Sequence, residues 1–200
     1  MDPMFRYFLG FQVAADRAGW LARQLPPVSG DLFAGLKPQL YHLTLCTIAE
    51  TMEAQPFLRG QIAKAFADGL PAPSVIPLGR IVSRGAGAEL IPAGNIGAIR
   101  QTYEAIVARL AAQGIDPMHR KSGLRPHVTL GYGDCTFDPV RLAWNWAPRE
   151  LVLIESHIGH RRHRVLHSWT LEPPAQASFG FMVDGLPAPV LRAGELSRVC

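Results

Sequence analysis

The sequence predicts an α+β protein built on antiparallel strands. Two segments repeat the pattern His, apolar, Thr, Leu inside strand-like runs, at residues 42–45 and 127–130. Two amphipathic helices are mixed among the strand-like segments without the regular strand–helix alternation that a parallel sheet requires. The order is motif strand, helix, one or two strands, helix, motif strand. That is a unit present twice rather than a repeat array.

Each element follows from local pattern. Residues 5–14 (FRYFLGFQVA) are aromatic and branched enough for a strand, and Gly10 within it implies a close approach by another part of the chain. Asp16 is placed to cap a helix carrying Trp20, Leu21 and Leu25, which stops before Pro26-Pro27. Residues 26–38 are rich in Pro and Gly and read as a loop leading to the first motif strand at 41–48. At 54–68, Phe57, Leu58, Ile62, Ala65 and Phe66 recur at helical steps, and Gly69 ends the helix. Residues 75–83 form a strand whose Pro77 points to a sheet edge or a bulge; 84–87 make a turn, and 88–91 return as a partner strand. Residues 96–113 form the second helix, with Ile99, Tyr103, Ile106, Val107 and Leu110 on one stripe and Gly114 as its stop. A basic loop at 117–123 precedes the second motif strand at 127–132, and 151–155 and 165–171 are the last strands. Beyond Pro173-Pro174 the pattern weakens, so residues 1–174 are expected to be the folded domain and 175–200 an extension.

Composition narrows the function. With 48% hydrophobic and 18% charged residues over 200 positions, the chain can bury a core and is not disordered. A formal charge of +4 favours an anionic ligand without amounting to a nucleic-acid coat. Cys46, Cys135 and Cys200 are odd in number and widely spaced, which fits reduced thiols in a cytoplasmic protein. By strand parity Cys46 is expected to continue the His42/Thr44 face as a small neutral wall. No secretion signal is visible in Met1-Asp2-Pro3-Met4, and no apolar run is long enough for a membrane span.

The chemistry lies in the two motifs. In a strand, side chains at i and i+2 share a face. His42 with Thr44, and His127 with Thr129, should therefore face one way while Leu43, Leu45, Val128 and Leu130 enter a core. Two imidazoles on opposite sides of a phosphate suit in-line transfer, one taking a proton and the other giving one, because both protonation states of histidine exist near neutrality. The hydroxyls of Thr44 and Thr129 can donate to phosphoryl oxygens from strand-fixed positions. This scheme calls for no metal and no cofactor. The cluster His157, His160, His163 and His167 invites a zinc reading, yet it is interleaved with Arg161, Arg162 and Arg164 and lacks the usual ligand spacing. It reads better as a basic hairpin, either solvated or attracting a nucleotide or RNA end. Around the motifs, Arg125 is a candidate phosphate contact, Phe11, Tyr41, Trp144 and Trp146 are candidate base-stacking residues, and Lys121 and His119 are candidate contacts to RNA phosphates.

Tyr41-His42-Leu43-Thr44-Leu45 and Pro126-His127-Val128-Thr129-Leu130 resemble the paired H-x-T signatures of the two-histidine phosphoesterases, and most closely the RNA 2',3'-cyclic phosphodiesterases historically called 2'-5' RNA ligases. Phe8-Leu9-Gly10-Phe11 resembles that family's opening strand, residues 151–156 its late strand and 165–171 its closing one. The resemblance implies a bilobal duplicated fold: two antiparallel sheets flanked by helices, with a central cleft holding both motifs. It implies hydrolysis of a 2',3'-cyclic phosphate at an RNA terminus to a 2'-phosphate, with 2'-5' ligation as the reverse reaction, in a monomer. It also implies that His127 activates water and His42 protonates the leaving 3'-oxygen, an assignment the residues themselves leave open. A small cyclic nucleotide, a 2'-5' oligonucleotide or an ADP-ribose cyclic phosphate fits the same cleft, and a non-catalytic RNA- or nucleotide-binding module is the alternative to an enzyme.

Overall fold

In the computed structural model, ten strands and three α-helices follow one another among the described residues as β1 (Phe5–Gln12), α1 (Ala15–Ala22), β2 (Ala34–Gly35), β3 (His42–Thr51), α2 (Pro56–Ala65), β4 (Leu70–Pro71), β5 (Ile76–Ser83), β6 (Gly87–Pro92), α3 (Gly97–Ala112), β7 (Val128–Tyr132), β8 (Val140–Trp146), β9 (Glu150–His157) and β10 (Arg162–Glu172). The structure describes residues 4–28, 32–71, 75–84, 86–118, 123–160 and 162–172. Lys121 and His119 lie outside the described residues, as does the extension at 175–200.

The strands join in a single path, β4-β10-β9-β1-β3-β7-β6-β5-β8, with β2 added on β7. Pairing is antiparallel except for the short β10–β4 contact. The expected two separate sheets are thus one α+β sheet, drawn in at its middle. β3 and β7 share the single register pair Leu43–Val128, whereas β1 pairs with β3 along its whole length. A buried cluster continues across that narrow point, from Tyr7, Leu9 and Leu153 through Leu43 and Val128 to Ile81, Leu90 and Ile106.

Several elements depart from expectation for identifiable reasons. Asp16 does not cap α1: the N-cap is Ala14, and Asp16 sits in the first turn, where its charge complements the helix dipole. Phe57, expected on the buried stripe of α2, is 83% exposed, because the helix starts only at Pro56 and turns Ile62 and Ala65 inward instead. Pro77 is on an interior strand, with β6 on one side of β5 and β8 on the other. The second alternative holds there, since the β5 register shifts between Leu78 and Arg80. Gly79 sits in that irregularity, and a Cβ on it would meet Ala93 Cβ at 1.9 Å. β8 is an additional strand beyond those expected, although Val140, Leu142, Trp144 and Trp146 alternate with Arg141, Ala143 and Asn145, a period-two pattern.

Candidate active site

The first motif opens β3 after a short 3-10 turn at Pro38–Leu40. Burial alternates as a half-open strand should: Leu43 and Leu45 are buried, while His42 and Thr44 are partly open. The second motif repeats the arrangement, with Val128 and Leu130 fully buried and His127 and Thr129 partly open. Each histidine precedes one member of the Leu43–Val128 pair. Continuing that register by one residue on either side sets His42 across from Thr129, and Thr44 across from His127. The four polar side chains therefore share one face of the β3–β7 junction.

Both imidazoles are held in the same way. His42 Nδ1 lies 2.7 Å from the Leu40 carbonyl, and His127 Nδ1 lies 2.9 Å from the Arg125 carbonyl, each partner being two residues upstream. A carbonyl can only accept, so Nδ1 carries the hydrogen in both rings. That leaves Nε2 as the nitrogen available for chemistry.

The surroundings of the two rings differ. Phe8 of β1 stacks on His42, with centroids 4.7 Å apart and planes at 30°, and His163 of β10 meets it edge-on at 4.9 Å. Burial pushes the His42 imidazole down to about 4; the hydrogen bond to Leu40 opposes this, and positive charge on His163 or His127 reinforces it. His163 is itself lowered by burial. His127 has a carboxylate beside it instead. Glu89 Oε1 is 3.8 Å from His127 Nε2, and Glu89 faces Thr129 across the β6–β7 ladder.

The other residues singled out from the sequence separate into three groups. Arg125 stays near the site but is ion-paired to Glu89. Phe11 and Tyr41 are interior, at 0% and 2% exposure. Phe11 pairs in register with Leu43, so it shares the core face of that residue and packs edge-on against Trp146. Trp144 and Trp146 stack on each other in the same core. Cys46 is core as well. The β1–β3 register passes from Leu9–Cys46 to Gly10–Thr44, so Leu45 is an extra residue that reverses parity, and both Leu45 and Cys46 are buried. The histidines of the late hairpin do not converge: His157 bonds Glu155 at 3.3 Å, His163 joins His42, and His167 packs on Trp169.

Phe8 and Glu89 are neighbours of the motif histidines that sequence reasoning missed, and His163, read there only as part of the basic hairpin, joins His42. Phe8 reaches His42 through the pairing of β1 with β3, in which Gly10 and Gln12 lie opposite Thr44 and His42. Gly10 is required where it stands: a Cβ there would lie 2.4 Å from the Leu43 carbonyl oxygen, the close approach its place in a strand implied. Glu89 gave no signal, since it reaches the site only through the pairing of β6 with β7.

One cavity is lined by His42, and a second meets the first at Leu40 and His163. The first, of about 140 Å³, is lined by His42, His163, Gln12, Gln39, Leu40 and Tyr41, together with Ile154 and Val165. The other, of about 520 Å³, shares Leu40 and His163 with it and adds Phe5, Ala54, Glu155, His157, Arg162 and Arg164. The larger falls in the usual size range for small-molecule sites. Its basic wall is the hairpin of β9 and β10, where Glu155 is bonded by Tyr7 Oη at 2.9 Å and by Arg164 at 3.0 Å.

The fold is shared with several solved structures. No family model and no curated protein matches the chain. Among solved structures, TT0787 of Thermus thermophilus is similar at 17% identity and a TM-score of 0.65, over 84% of this chain and 99% of that one. A phosphoesterase matches at 20% identity and a TM-score of 0.63, over 84% and 98% of the two chains. E. coli LigT, in a crystal structure with 3'-AMP, matches at 21% identity and a TM-score of 0.61, also over 84% and 98%. At these identities the likeness is one of fold. No helix among the described residues is long and apolar enough to cross a membrane.

Proposed function

We propose that this chain is a metal-independent phosphodiesterase that opens 2',3'-cyclic phosphates at RNA ends to 2'-phosphates, with 2'-5' joining as the same ring opening when a 5'-hydroxyl takes the place of water. The observation that carries this reading is the duplicated His-x-Thr pattern on two strands that pair at equivalent motif positions, Leu43 with Val128. Water attacks phosphorus from one side as the ribose oxygen departs on the other. One Nε2 takes the proton of the water and the other supplies the proton of the departing oxygen, so acid and base both come from the protein. The hydroxyls of Thr44 and Thr129 donate to the non-bridging oxygens. Support for a nucleotide comes from the 520 Å³ cavity with Arg162 and Arg164 on its wall, and from the 3'-AMP held by the similarly folded LigT. The two halves of the sheet are read as pseudo-symmetric lobes of one domain, residues 1–174.

The test is to incubate chelator-treated protein with oligoribonucleotides ending in 2',3'-cyclic phosphate and with 2',3'-cyclic mononucleotides, then assign the product isomer by phosphorus NMR. Accumulation of 2'-phosphate, with His42→Ala and His127→Ala each lowering kcat by about 10² to 10⁴, supports the reading. A folded double variant that still hydrolyses at the wild-type rate refutes it. Salt-dependent binding of these ends without turnover would make the protein a binding module instead.

A further inference from the structure

A third cavity, of about 780 Å³, meets the small His42 cavity at Gln12 and Gln39, whereas the 520 Å³ cavity meets it at Leu40 and His163. The two neighbours differ in charge. The 520 Å³ cavity carries Arg162 and Arg164 against the carboxylate of Glu155, which Arg164 pairs. In the 780 Å³ cavity Arg17 and Arg149 are matched by Asp16 and Glu150, and Arg17 Nε lies 3.9 Å from Asp16. Its wall also carries amides, from Gln12, Gln39 and Asn145, and the indoles of Trp144 and Trp146, which stack with centroids 5.5 Å apart. Such a lining suits a neutral heteroaromatic ring better than a phosphate. Gln12 stands opposite His42 in the β1–β3 register, and its Nε2 donates to the Gln39 carbonyl at 3.2 Å. A carbonyl can only accept, so that bond fixes the orientation of the amide; Oε1, itself only an acceptor, suits an amino group.

A nucleoside 2',3'-cyclic phosphate extends from its reacting edge in two directions. The base leaves the ribose at C1', beside C2', and the 5'-ward strand leaves at C4', beside C3'. With the ribose at His42, the two adjoining cavities match these two exits, and charge decides which takes which. We propose that the 780 Å³ cavity is the site of the terminal base, with Gln12 as a specificity-determining residue that selects an exocyclic amino group, N6 of adenine or N4 of cytosine; this rests on the phosphodiesterase reading above. The 5'-ward phosphates then fall to Arg162 and Arg164. Guanine, hypoxanthine and uracil present a carbonyl oxygen at the equivalent ring position. They are disfavoured because two acceptors would face each other.

The test compares adenosine and inosine 2',3'-cyclic phosphates with methyl riboside 2,3-cyclic phosphate, which carries no base. Wild-type kcat/KM should be about 3 to 10 times higher for adenosine than for inosine, the size of one neutral hydrogen bond. It should also be at least about tenfold higher for adenosine than for the methyl riboside. Gln12→Leu should bring adenosine to within about twofold of inosine. Ala147→Trp, at an exposed position on the cavity wall, should lower kcat/KM at least about fivefold for both nucleosides but less than about twofold for the methyl riboside. General loss of structure would not produce that split. A methyl riboside cleaved as well as adenosine, an adenosine preference that survives Gln12→Leu, or an equal effect of Ala147→Trp on all three substrates overturns the assignment while the enzyme stands. A wild-type protein that leaves all three intact removes the phosphodiesterase reading, and this base site with it.

Discussion

Leu43 and Val128 face each other where β3 meets β7, and each is the residue that follows a motif histidine. This one pair makes the two motifs symmetric about the junction. Both members are fully buried, so the junction is apolar beneath and polar on its open face. The two motifs thus sit where the two halves of the sheet share a single register pair.

The threonines are expected to act through their hydroxyls alone. Thr44→Val and Thr129→Val keep the β-branched shape that suits a strand, so thermal unfolding should remain within a few degrees of wild type. Each should nevertheless lower kcat by about 10² or more, as loss of one preorganised donor does elsewhere. Steady-state kinetics on a 2',3'-cyclic nucleotide, set beside calorimetry, checks both halves of the expectation.

Gly10→Ala should damage the site from the neighbouring strand. The added Cβ would come 2.4 Å from the Leu43 carbonyl, which is backbone and cannot turn aside. Overpacking of this kind costs about 1–3 kcal/mol, and the displaced segment carries both His42 and Thr44. Urea melts should show the destabilisation. Turnover should drop at least about tenfold, because misplacement by a fraction of an ångström is costly in catalysis.

Acid should destabilise the fold through His42. Burial holds this imidazole at about 4 in the native protein, against 6.5 for an unperturbed histidine. Between those values the unfolded chain binds a proton that the native chain refuses, so the contribution is complete above about pH 6.5 and is lost as pH falls towards about 4. His163, also lowered by burial, acts in the same direction and is common to both proteins compared. From pH 7 to pH 4.5 the wild type should lose about 2 kcal/mol more unfolding free energy than His42→Gln. Equal losses in urea titrations at the two pH values would contradict this account of the site.

Cys46 is expected to be inert until the protein opens. Burial pushes its thiol up to about 12, with a backbone hydrogen bond to Leu9 only partly opposing. At pH 8 its alkylation by iodoacetamide should be at least about 100-fold slower in native than in urea-unfolded protein. Peptide mapping by mass spectrometry resolves it from the other cysteines.

The motifs were legible in the sequence because strand parity is local: His-x-Thr with apolar residues between can only present one polar and one apolar face. Gly10 was legible for the same kind of reason, as a residue whose only merit in a strand is its missing Cβ. α3 was found nearly to the residue because its stripe is long. What stayed out of reach was set by pairing between distant strands. A bulge at Leu45 moved Cys46 into the core, and register with Leu43 sent Phe11 inward while Phe8 came to lie on His42. Which carboxylate stands beside His127 depended on β6 lying against β7, since Glu89 is far along the chain from either motif. A sequence carries side-chain periodicity within each strand; register and neighbour order emerge only when the strands are assembled, and these are what make two equal histidines unequal.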